Sequence, residues 1–238
     1  MAVFVLVPGA WLGGWCWRNV AAALRADGHA VVGCTLSGLG ERSHLLTRET
    51  GLDTHVTDIA NLLRYRDLRD VVLVGHSYGG MVVTAVAEQA AERIGRLVYL
   101  DASVPIDGQS NDDVIGAEMA SRLRAAAQAQ GDGWRVPPAD YVTERLPERL
   151  RDWVGERLTA HPLRAFTQPV KLQCAAAAAL PRAFIRTTRS PLYDRLLEGA
   201  QQAGWPCREL AGGHYAMLSE PQAVAAALAE VATGRERV

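Results

Sequence analysis

Residues 71–80, which read Val-Val-Leu-Val-Gly-His-Ser-Tyr-Gly-Gly, constrain the fold of this chain more than any other segment. Four apolar residues lead directly into a Gly-x-Ser-x-Gly pentapeptide, and an Ala- and Val-rich segment follows over residues 81–91. This order predicts a strand, a tight turn and a helix, which is the context of a nucleophilic serine. Gly75 and Gly79 let the strand and the helix approach closely, and Ser77 is expected in a strained turn. The alternative is an ordinary strand-to-helix turn in which Ser77 is a capping residue.

Short apolar runs alternate with helical patterns along most of the chain. The predicted strands are residues 3–7, 30–35, 71–74, 96–100, 182–187 and 207–210, and the predicted helices are residues 19–26, 54–66, 81–91, 191–203 and 221–232. Buried strands that alternate with helices form parallel sheets covered on both faces. The pattern therefore predicts an α/β fold with a mostly parallel, doubly wound sheet of about six strands.

The alternation stops between residues 107 and 180. This segment contains five prolines and the aromatic residues Trp134, Tyr141, Trp153 and Phe166, with short helical patterns over residues 116–130 and 144–158. Its aromatic and aliphatic content favours packing over a disordered linker, which is the alternative. We predict an inserted helical cap over residues 107–180, between two parts of the α/β core, residues 1–106 and 181–238.

Composition limits the classes of partner. The chain has 238 residues and a net charge of −1, which gives no reason to expect nucleic acid or an anionic membrane as a partner. No apolar run reaches the roughly 18 residues of a membrane span, and the N-terminus lacks the features of a signal peptide. The four cysteines form no C-x-x-C pair and are predicted to be buried, reduced thiols. We expect a soluble, cytoplasmic protein that acts on a small molecule and needs no metal or organic cofactor.

Ser77 needs a general base, because a serine hydroxyl is a weak nucleophile at its ordinary pKa. His214 lies in a Gly-rich segment just after the last predicted strand. When a nucleophilic serine lies in the turn between a strand and a helix, the acid and then the histidine follow it later in the chain. His214 is therefore the candidate base. His76 is expected to pack beneath the serine. The remaining histidines are predicted to be surface or capping residues: His29, His44, His55 and His161. For His44, a place in the lining of the cleft is the alternative.

The acid that orients His214 has two candidates. No carboxylate stands at the end of the predicted strand over residues 182–187, and the nearest one beyond it is Asp194. Asp101 stands at the end of the strand over residues 96–100, at the carboxyl edge of the sheet where catalytic groups gather. We favour Asp101 over Asp194. A capping or turn aspartate is the alternative interpretation of Asp101.

An oxyanion hole needs two backbone N–H groups that point to the developing negative charge. The residue after the nucleophile, Tyr78, supplies one, and the loop after the first strand supplies the other, for which Ala10 is the candidate. That loop, residues 8–15, is rich in glycine, but it has neither the Lys-Ser/Thr ending nor the G-x-G-x-x-G pattern of a nucleotide site.

Several segments together carry a resemblance to a known family. They are residues 4–17 (Phe-Val-Leu-Val-x-Gly-Ala-Trp-x-Gly-Gly-Trp-x-Trp), 28–29, 72–81 and 213–217, and, for bacterial members, 35–42, 97–102 and 166–169. The chain resembles the branch of the α/β-hydrolase superfamily that holds the plant methylesterases, the hydroxynitrile lyases and their bacterial relatives. The resemblance implies a Ser77, Asp101 and His214 triad, an oxyanion hole at Ala10 and Tyr78, a cap over the cleft and, often, a homodimer.

Two departures from the family pattern bear on the reaction. The family usually begins the loop after the first strand with His-Gly, where this chain has Pro8-Gly9, and it commonly has a second histidine where Leu12 stands. The favoured function is a serine esterase, similar to carboxylesterases and methylesterases, that acts on a small-to-medium apolar or aromatic ester. The alternative is lyase, cyclase or cofactor-free oxygenase chemistry with Ser77 and His214 as general base, and a non-catalytic binding protein is a third hypothesis.

Aromatic residues are the candidates for substrate binding. Trp11, Trp134 and Trp153 are predicted near the mouth of the cleft together with Tyr78, and Leu12 is predicted to contact substrate in place of the family's second histidine. These aromatic side chains favour an aromatic or polycyclic substrate. Packing in the core or in the cap is the equally weighted alternative, because amphipathic rings suit both roles.

Overall fold

The computed structural model describes residues 1–233, so the last five residues of the predicted span 181–238 lie outside the described residues. In this part of the chain the strands are β1 Val3–Val7, β2 Ala30–Gly33, β3 Val71–Ser77, β4 Ile94–Ala102, β5 Arg135–Val136, β6 His161–Pro162, β7 Arg182–Thr187 and β8 Cys207–Leu210. Six of them form the main sheet, in the order β2-β1-β3-β4-β7-β8, and all neighbours in it are parallel. The expected α/β fold with six strands is therefore confirmed.

Helices cover both faces of this sheet, as apolar parallel strands require. They are α1 Arg18–Ala26, α2 Leu52–Tyr65, α3 Gly79–Ala90, α4 Asn111–Ile115, α5 Ala117–Gln130, α6 Tyr141–Glu144, α7 Glu148–Gly155, α8 Leu163–Thr167, α9 Ala175–Ala178, α10 Asp194–Gln202, α11 Ala216–Ser219 and α12 Pro221–Thr233. Short 3₁₀ turns occupy Gly14–Trp17, Gly40–Leu45 and Ala91–Arg93. Helix α1 packs against α12, and α2 packs against α3. No helix within residues 1–233 is long and apolar enough to cross a membrane.

The centre of the sheet is fully buried and carries the core. Strand β3 is buried from Val71 to His76, and β4 is buried over its last six residues, 97–102. The two strands lie side by side, with Val74 opposite Val98 and His76 opposite Leu100. Because the carboxyl ends of parallel neighbours lie at the same edge, this pairing brings residues 77 and 101 together.

Residues 103–181 leave the main sheet and form short elements above its carboxyl edge, and we call them the covering segment. They include α4 to α9 and a two-stranded antiparallel ladder in which Val136 pairs with His161. The helix predicted over residues 144–158 is shorter than expected: α7 spans Glu148–Gly155, and a separate helix, α6, ends at Glu144. Pro147 interrupts the helix, because proline has no N–H to continue it. The treatment of residues 107–180 as a separate cap stays a prediction.

The other differences from the predicted elements concern their ends. The strand predicted over residues 30–35 ends at Gly33, and the helix predicted over residues 191–203 begins only at Asp194. Residues 188–193 instead form a loop that places Tyr193 beneath the covering segment. All four cysteines are free thiols, but only Cys16 and Cys34 are buried, whereas Cys174 and Cys207 are partly exposed.

Candidate active site

Ser77 occupies the turn between β3 and α3 in a backbone conformation that serine rarely adopts. Its φ is +53°, in the left-handed region, where a Cβ atom costs energy. The turn closes only because its neighbours are glycines. A Cβ added to Gly75 would lie 2.5 Å from the carbonyl oxygen of Gly79, and a Cβ on Gly79 would lie 2.8 Å from the carbonyl oxygen of Pro8. The sequence pattern predicted this strained turn, and the structure has it.

Three side chains form a hydrogen-bonded row at the edge of the sheet. Ser77 Oγ lies 3.0 Å from His214 Nε2, and His214 Nδ1 lies 2.6 Å from Asp101 Oδ2. His214 and Asp101 are buried. A carboxylate can only accept, so Nδ1 carries the proton and donates to Asp101, which leaves the Nε2 lone pair to accept from the Ser77 hydroxyl. This is the geometry of a nucleophile, a base and an orienting acid.

Asp101 reaches His214 because of an irregularity in the sheet. His76 pairs with Leu100 and Ser77 pairs with Ala102, so Asp101 is the extra residue of a bulge, with φ +43°. Its burial opposes ionisation, but the hydrogen bond and charge of His214, with smaller contributions from Ser190 and Thr187, outweigh burial and lower the pKa of Asp101. The backbone N–H of Thr187 also lies 3.4 Å from Oδ1.

The second candidate for the acid has another partner. Asp194 lies at the start of α10, and its Oδ1 atom is 2.6 Å from Arg186 Nε in a partly exposed ion pair. It therefore does not contact His214. Where the sequence lacks a carboxylate at the end of β7, the structure places Thr187 against the carboxylate of Asp101, which arrives from the neighbouring strand β4.

The two residues predicted to supply the oxyanion donors, Ala10 and Tyr78, line one cavity together with Ser77. Ala10 follows β1 by three residues and lines the same cavity as Ser77 and Tyr78. Tyr78 immediately precedes α3, so its N–H is not needed by the ladder of that helix. The role of both N–H groups as oxyanion donors stays a prediction.

His76 is buried beneath the row, as expected. Its Nε2 atom lies 2.8 Å from the carbonyl oxygen of His214, so Nε2–H donates and ties the histidine loop to the sheet. Burial, together with the nearby His214, lowers the pKa of His76 to about 3. The ring is therefore neutral at neutral pH and acts as a support for the loop of His214, not as a second base.

A largely apolar cavity opens at Ser77. Besides the residues already described, its lining consists mainly of aromatic and aliphatic side chains from the covering segment and from the loop before α10: Ile115, Met119, Leu123, Tyr141, Phe166, Leu192 and Tyr193. Trp11 also lines it, in agreement with the prediction, and its indole Nε1–H donates to the Val136 carbonyl oxygen at 3.1 Å. This bond fixes one wall of the cavity to the β5–β6 ladder.

Three of the predicted substrate contacts do not line this cavity, so those three predictions are wrong. Leu12 is fully buried in the core beside the first strand. Trp134 lies under the guanidinium groups of Arg48 and Arg135, which are 5.7 and 5.3 Å from its ring centre. Trp153 packs against Trp15 in a separate depression. The packing alternative holds for Trp134 and Trp153, because their rings pack against surface arginine side chains and do not face Ser77.

Two histidines predicted at the surface are fully buried behind Tyr78. The Tyr78 hydroxyl lies 2.9 Å from His55 Nδ1, and His55 Nε2 donates to the Ser37 carbonyl oxygen at 3.0 Å, so the tyrosine donates to His55. His161 stacks on Phe166 and has no hydrogen-bond partner for either ring nitrogen within the described residues. Burial lowers the pKa of His55 to about 4 and that of His161 well below its ordinary value, so both rings are neutral.

Sequence reasoning missed Tyr193, whose hydroxyl lies 3.5 Å from Ser77 Oγ and 3.4 Å from Ser103 Oγ. Burial raises its pKa to about 12, so the hydroxyl keeps its proton. Tyr193 lies in the segment after β7, where a catalytic acid was expected. This position is the feature of the sequence that could have identified Tyr193 as a site residue. The cavity residues on α4 to α6 carried no signal of their own, since isolated aliphatic residues on short helices resemble ordinary packing.

Comparison with known proteins places this geometry in a family. A model of the α/β hydrolase family matches residues 4–227. The chain belongs to the α/β hydrolase family. A carbendazim hydrolyzing esterase from a Nocardioides species is 38% identical to it over 96% of this chain and 99% of the relative. A pFDCC methylesterase from Arabidopsis thaliana is 26% identical over 92% of this chain and 89% of the relative.

Solved structures agree on the fold of this α/β hydrolase. An extracellular α/β-hydrolase from a Paenibacillus species superposes with a TM-score of 0.84, at 22% identity, over 98% of this chain and 99% of that one. The resemblance drawn from residues 4–17, 72–81 and 213–217 is confirmed by the plant methylesterases and the bacterial esterase among its relatives.

Proposed function

We propose that this α/β hydrolase is a serine esterase that hydrolyses small-to-medium apolar or aromatic esters with Ser77 as nucleophile, His214 as base and Asp101 as orienting acid. The observation that carries the proposal is the continuous row from Ser77 Oγ through His214 to Asp101, with distances of 3.0 and 2.6 Å. The esterase names of its relatives support the reaction class.

The first half of the reaction forms an acyl-enzyme. Ser77 Oγ attacks the ester carbonyl carbon while its proton moves to His214 Nε2, and Asp101 stabilises the imidazolium that results. The carbonyl oxygen becomes an oxyanion that the N–H groups of Ala10 and Tyr78 hold. When the intermediate collapses, the bond from carbon to the alcohol oxygen breaks, and His214 returns its proton to that oxygen.

The second half releases the acid. A water molecule takes the place of the alcohol beside His214 Nε2, gives its proton to the imidazole and attacks the acyl carbon. The bond to Ser77 Oγ then breaks, and His214 reprotonates the serine. The neutral state of His76 in the same cluster supports this cycle, because a permanent positive charge next to His214 would oppose formation of the imidazolium.

The cavity limits the substrate. It has a volume of about 140 Å³ and is lined mainly by apolar and aromatic groups. A pocket of this kind binds an acyl chain or a ring by removing apolar surface from water, and it offers few polar groups to a sugar or a peptide. Methyl and other short alkyl esters are the first substrates to test, since methylesterases are among the relatives. The cytoplasmic location and the homodimer stay predictions.

The test combines covalent labelling with turnover. We expect a fluorophosphonate probe to label Ser77 rapidly, as mapped by peptide mass spectrometry, and we expect His214→Ala to abolish the labelling while the fold is kept. Wild-type protein should hydrolyse a neutral butyrate ester, and Ser77→Ala should not.

Well-folded protein that resists the probe and leaves esters intact would contradict the proposal. Proton exchange at a substrate carbon without ester turnover would then favour general-base chemistry of the lyase or cyclase type.

A further inference from the structure

A second cleft opens beside the catalytic row, on the side of His214. Arg145, Arg189, His214 and Tyr215 line it, and no carboxylate does. It adjoins the apolar cavity, since Arg145, His214 and Tyr215 line both spaces. We call this space the arginine cleft. Its lining is positively charged, whereas the cavity at Ser77 is mainly apolar.

In the part of the chain that the structure describes, neither arginine of the arginine cleft is paired with a carboxylate, in contrast to Arg42 and Arg186. Arg42 contacts Asp58 at 3.1 Å, and Arg186 contacts both Asp194 and Glu209. Within residues 1–233 no aspartate or glutamate oxygen lies within 4.0 Å of Arg145 or Arg189, although both side chains are exposed at the cleft. Two cations that line the same cleft without a counter-ion favour an anionic occupant.

Arg145 is held in a defined place. Its guanidinium carbon lies 4.9 Å from the ring centre of Tyr141, a cation–π contact that orients the group over the ring. Tyr141 itself lines the apolar cavity, so the contact anchors Arg145 where the two spaces meet. An arginine that stacks on a ring keeps its N–H edges free to bind a carboxylate.

The position of the arginine cleft relative to the row indicates which part of an ester would reach it. The apolar cavity contains Ser77 and both segments of the oxyanion hole, Ala10 and Tyr78, whereas the cleft contains His214 and none of these three. Because His214 protonates the departing oxygen, the alcohol part of the ester lies on the side of His214. The acyl part remains with the oxyanion hole.

We propose that the arginine cleft binds a carboxylate carried by the alcohol part of the substrate, so that the enzyme favours esters of carboxylate-bearing alcohols or phenols. This inference rests on the proposed esterase function. Arg145 and Arg189 are specificity-determining residues in it: they pair with the carboxylate as the ester binds, and the acyl group occupies the apolar cavity. The reaction is unchanged, and the product alcohol leaves with its carboxylate.

The experiment compares two phenyl esters of the same shape. The first is 4-carboxyphenyl butyrate, which is anionic, and the second is 4-carbamoylphenyl butyrate, which is neutral. The measured quantity is the ratio of their kcat/KM values in each variant, which cancels effects common to both esters. We expect Arg145→Gln and Arg189→Gln each to lower this ratio roughly fivefold, as the loss of one exposed charge pair. We expect the double variant to lower it further, and Arg145→Lys to retain part of it.

Arg69→Gln is the matched control. It removes the same charge near the amino end of β3, at the opposite edge of the sheet, where Arg69 pairs with Asp67. It should leave the ratio unchanged. Added sodium chloride should reduce the ratio in wild-type protein more than in the double variant, because salt screens exposed charges.

The outcomes separate this inference from the proposed function. If the neutral ester turns over and the ratio in Arg145→Gln and Arg189→Gln equals that in Arg69→Gln, the arginine cleft binds no carboxylate while the esterase function stands. If neither ester turns over, the proposed function fails, and this inference is overturned with it.

Discussion

The edge of the main sheet and the segment that covers it build the candidate site in different ways. Ser77 and Asp101 stand at the carboxyl ends of neighbouring strands, and both are held at positive φ by the backbone around them. The covering segment contributes side-chain ends from short helices, such as Met119 on α5 and Tyr141 on α6.

Because of this difference, we expect the sheet edge to control the reaction and the covering segment to control substrate selectivity. A reacting group must be held in place to within a fraction of an ångström, and a strand end in a buried sheet supplies that rigidity. A binding wall needs only the right shape and polarity, so it tolerates exchange of side chains. The sheet edge should therefore be sensitive to single-atom changes that the covering segment accepts.

The largest expected effect is at the acid. Asp101→Asn should lower kcat by about 10⁴-fold, because an amide neither holds His214 in the required tautomer nor stabilises the imidazolium. Steady-state hydrolysis of a neutral butyrate ester measures it. Asp194→Asn, which disturbs only the ion pair with Arg186, should retain kcat within about threefold. The reverse order of these two effects would assign the acid to Asp194.

The backbone comparison uses two glycines. Gly75→Ala places a Cβ 2.5 Å from the Gly79 carbonyl oxygen and should lower the free energy of unfolding by about 3 kcal/mol. Gly155→Ala, in α7, meets only Thr143 Cγ2 at 3.7 Å and should raise it by about 0.5 kcal/mol, since alanine favours a helix. Urea unfolding measures both. Equal changes in the two variants would remove the contrast between the sheet edge and the covering segment.

Selectivity should follow the covering segment. Met119 lines the apolar cavity from α5, and Met119→Ala enlarges it. We expect the ratio of kcat/KM values for hexanoate and butyrate esters to shift about tenfold toward hexanoate, in keeping with the free energy of one or two methylene groups. Met119→Leu conserves volume and should leave the ratio close to that of the wild type. An unchanged preference in Met119→Ala would mean that α5 does not bound the acyl site.

The smallest expected effect concerns acid stability. His161 is neutral in the folded protein because burial, and next to it His55, lower its pKa well below the ordinary value. In the unfolded chain the imidazole binds a proton below about pH 6.5. Below that pH the unfolded state binds more protons than the folded state, so stability falls with falling pH, by up to about 1.4 kcal/mol per pH unit for this residue.

His161→Phe should reduce this slope, since a phenyl ring binds no proton and leaves no unpaired ring nitrogen among Tyr78 and Phe166. Urea unfolding between pH 5.0 and pH 7.5 gives the slope. His44→Phe, at an exposed position, is the control and should keep the slope of the wild type. A slope that is the same in His161→Phe and in the wild type would show that another group controls acid stability.

The sequence alone determined the sheet, the strained turn at Ser77 and the placement of His214 after the last strand. These features depend on local patterns: apolar runs of strand length, glycines where backbones touch, and a Gly-rich loop at a strand end. The sequence also limited the candidates for the acid to Asp101 and Asp194, and it favoured Asp101, which contacts His214.

Only the tertiary structure decided which carboxylate meets His214, which aromatic side chains reach the cavity and where the arginine cleft lies. Asp101 contacts His214 because a bulge in β4 turns it toward a loop 113 residues away in the chain. Trp134 and Trp153 face surface arginines, while Tyr193 and Arg145 face the site. The physical reason is that a strand pattern fixes backbone order locally, whereas the direction of a loop or cap side chain depends on partners distant in the sequence.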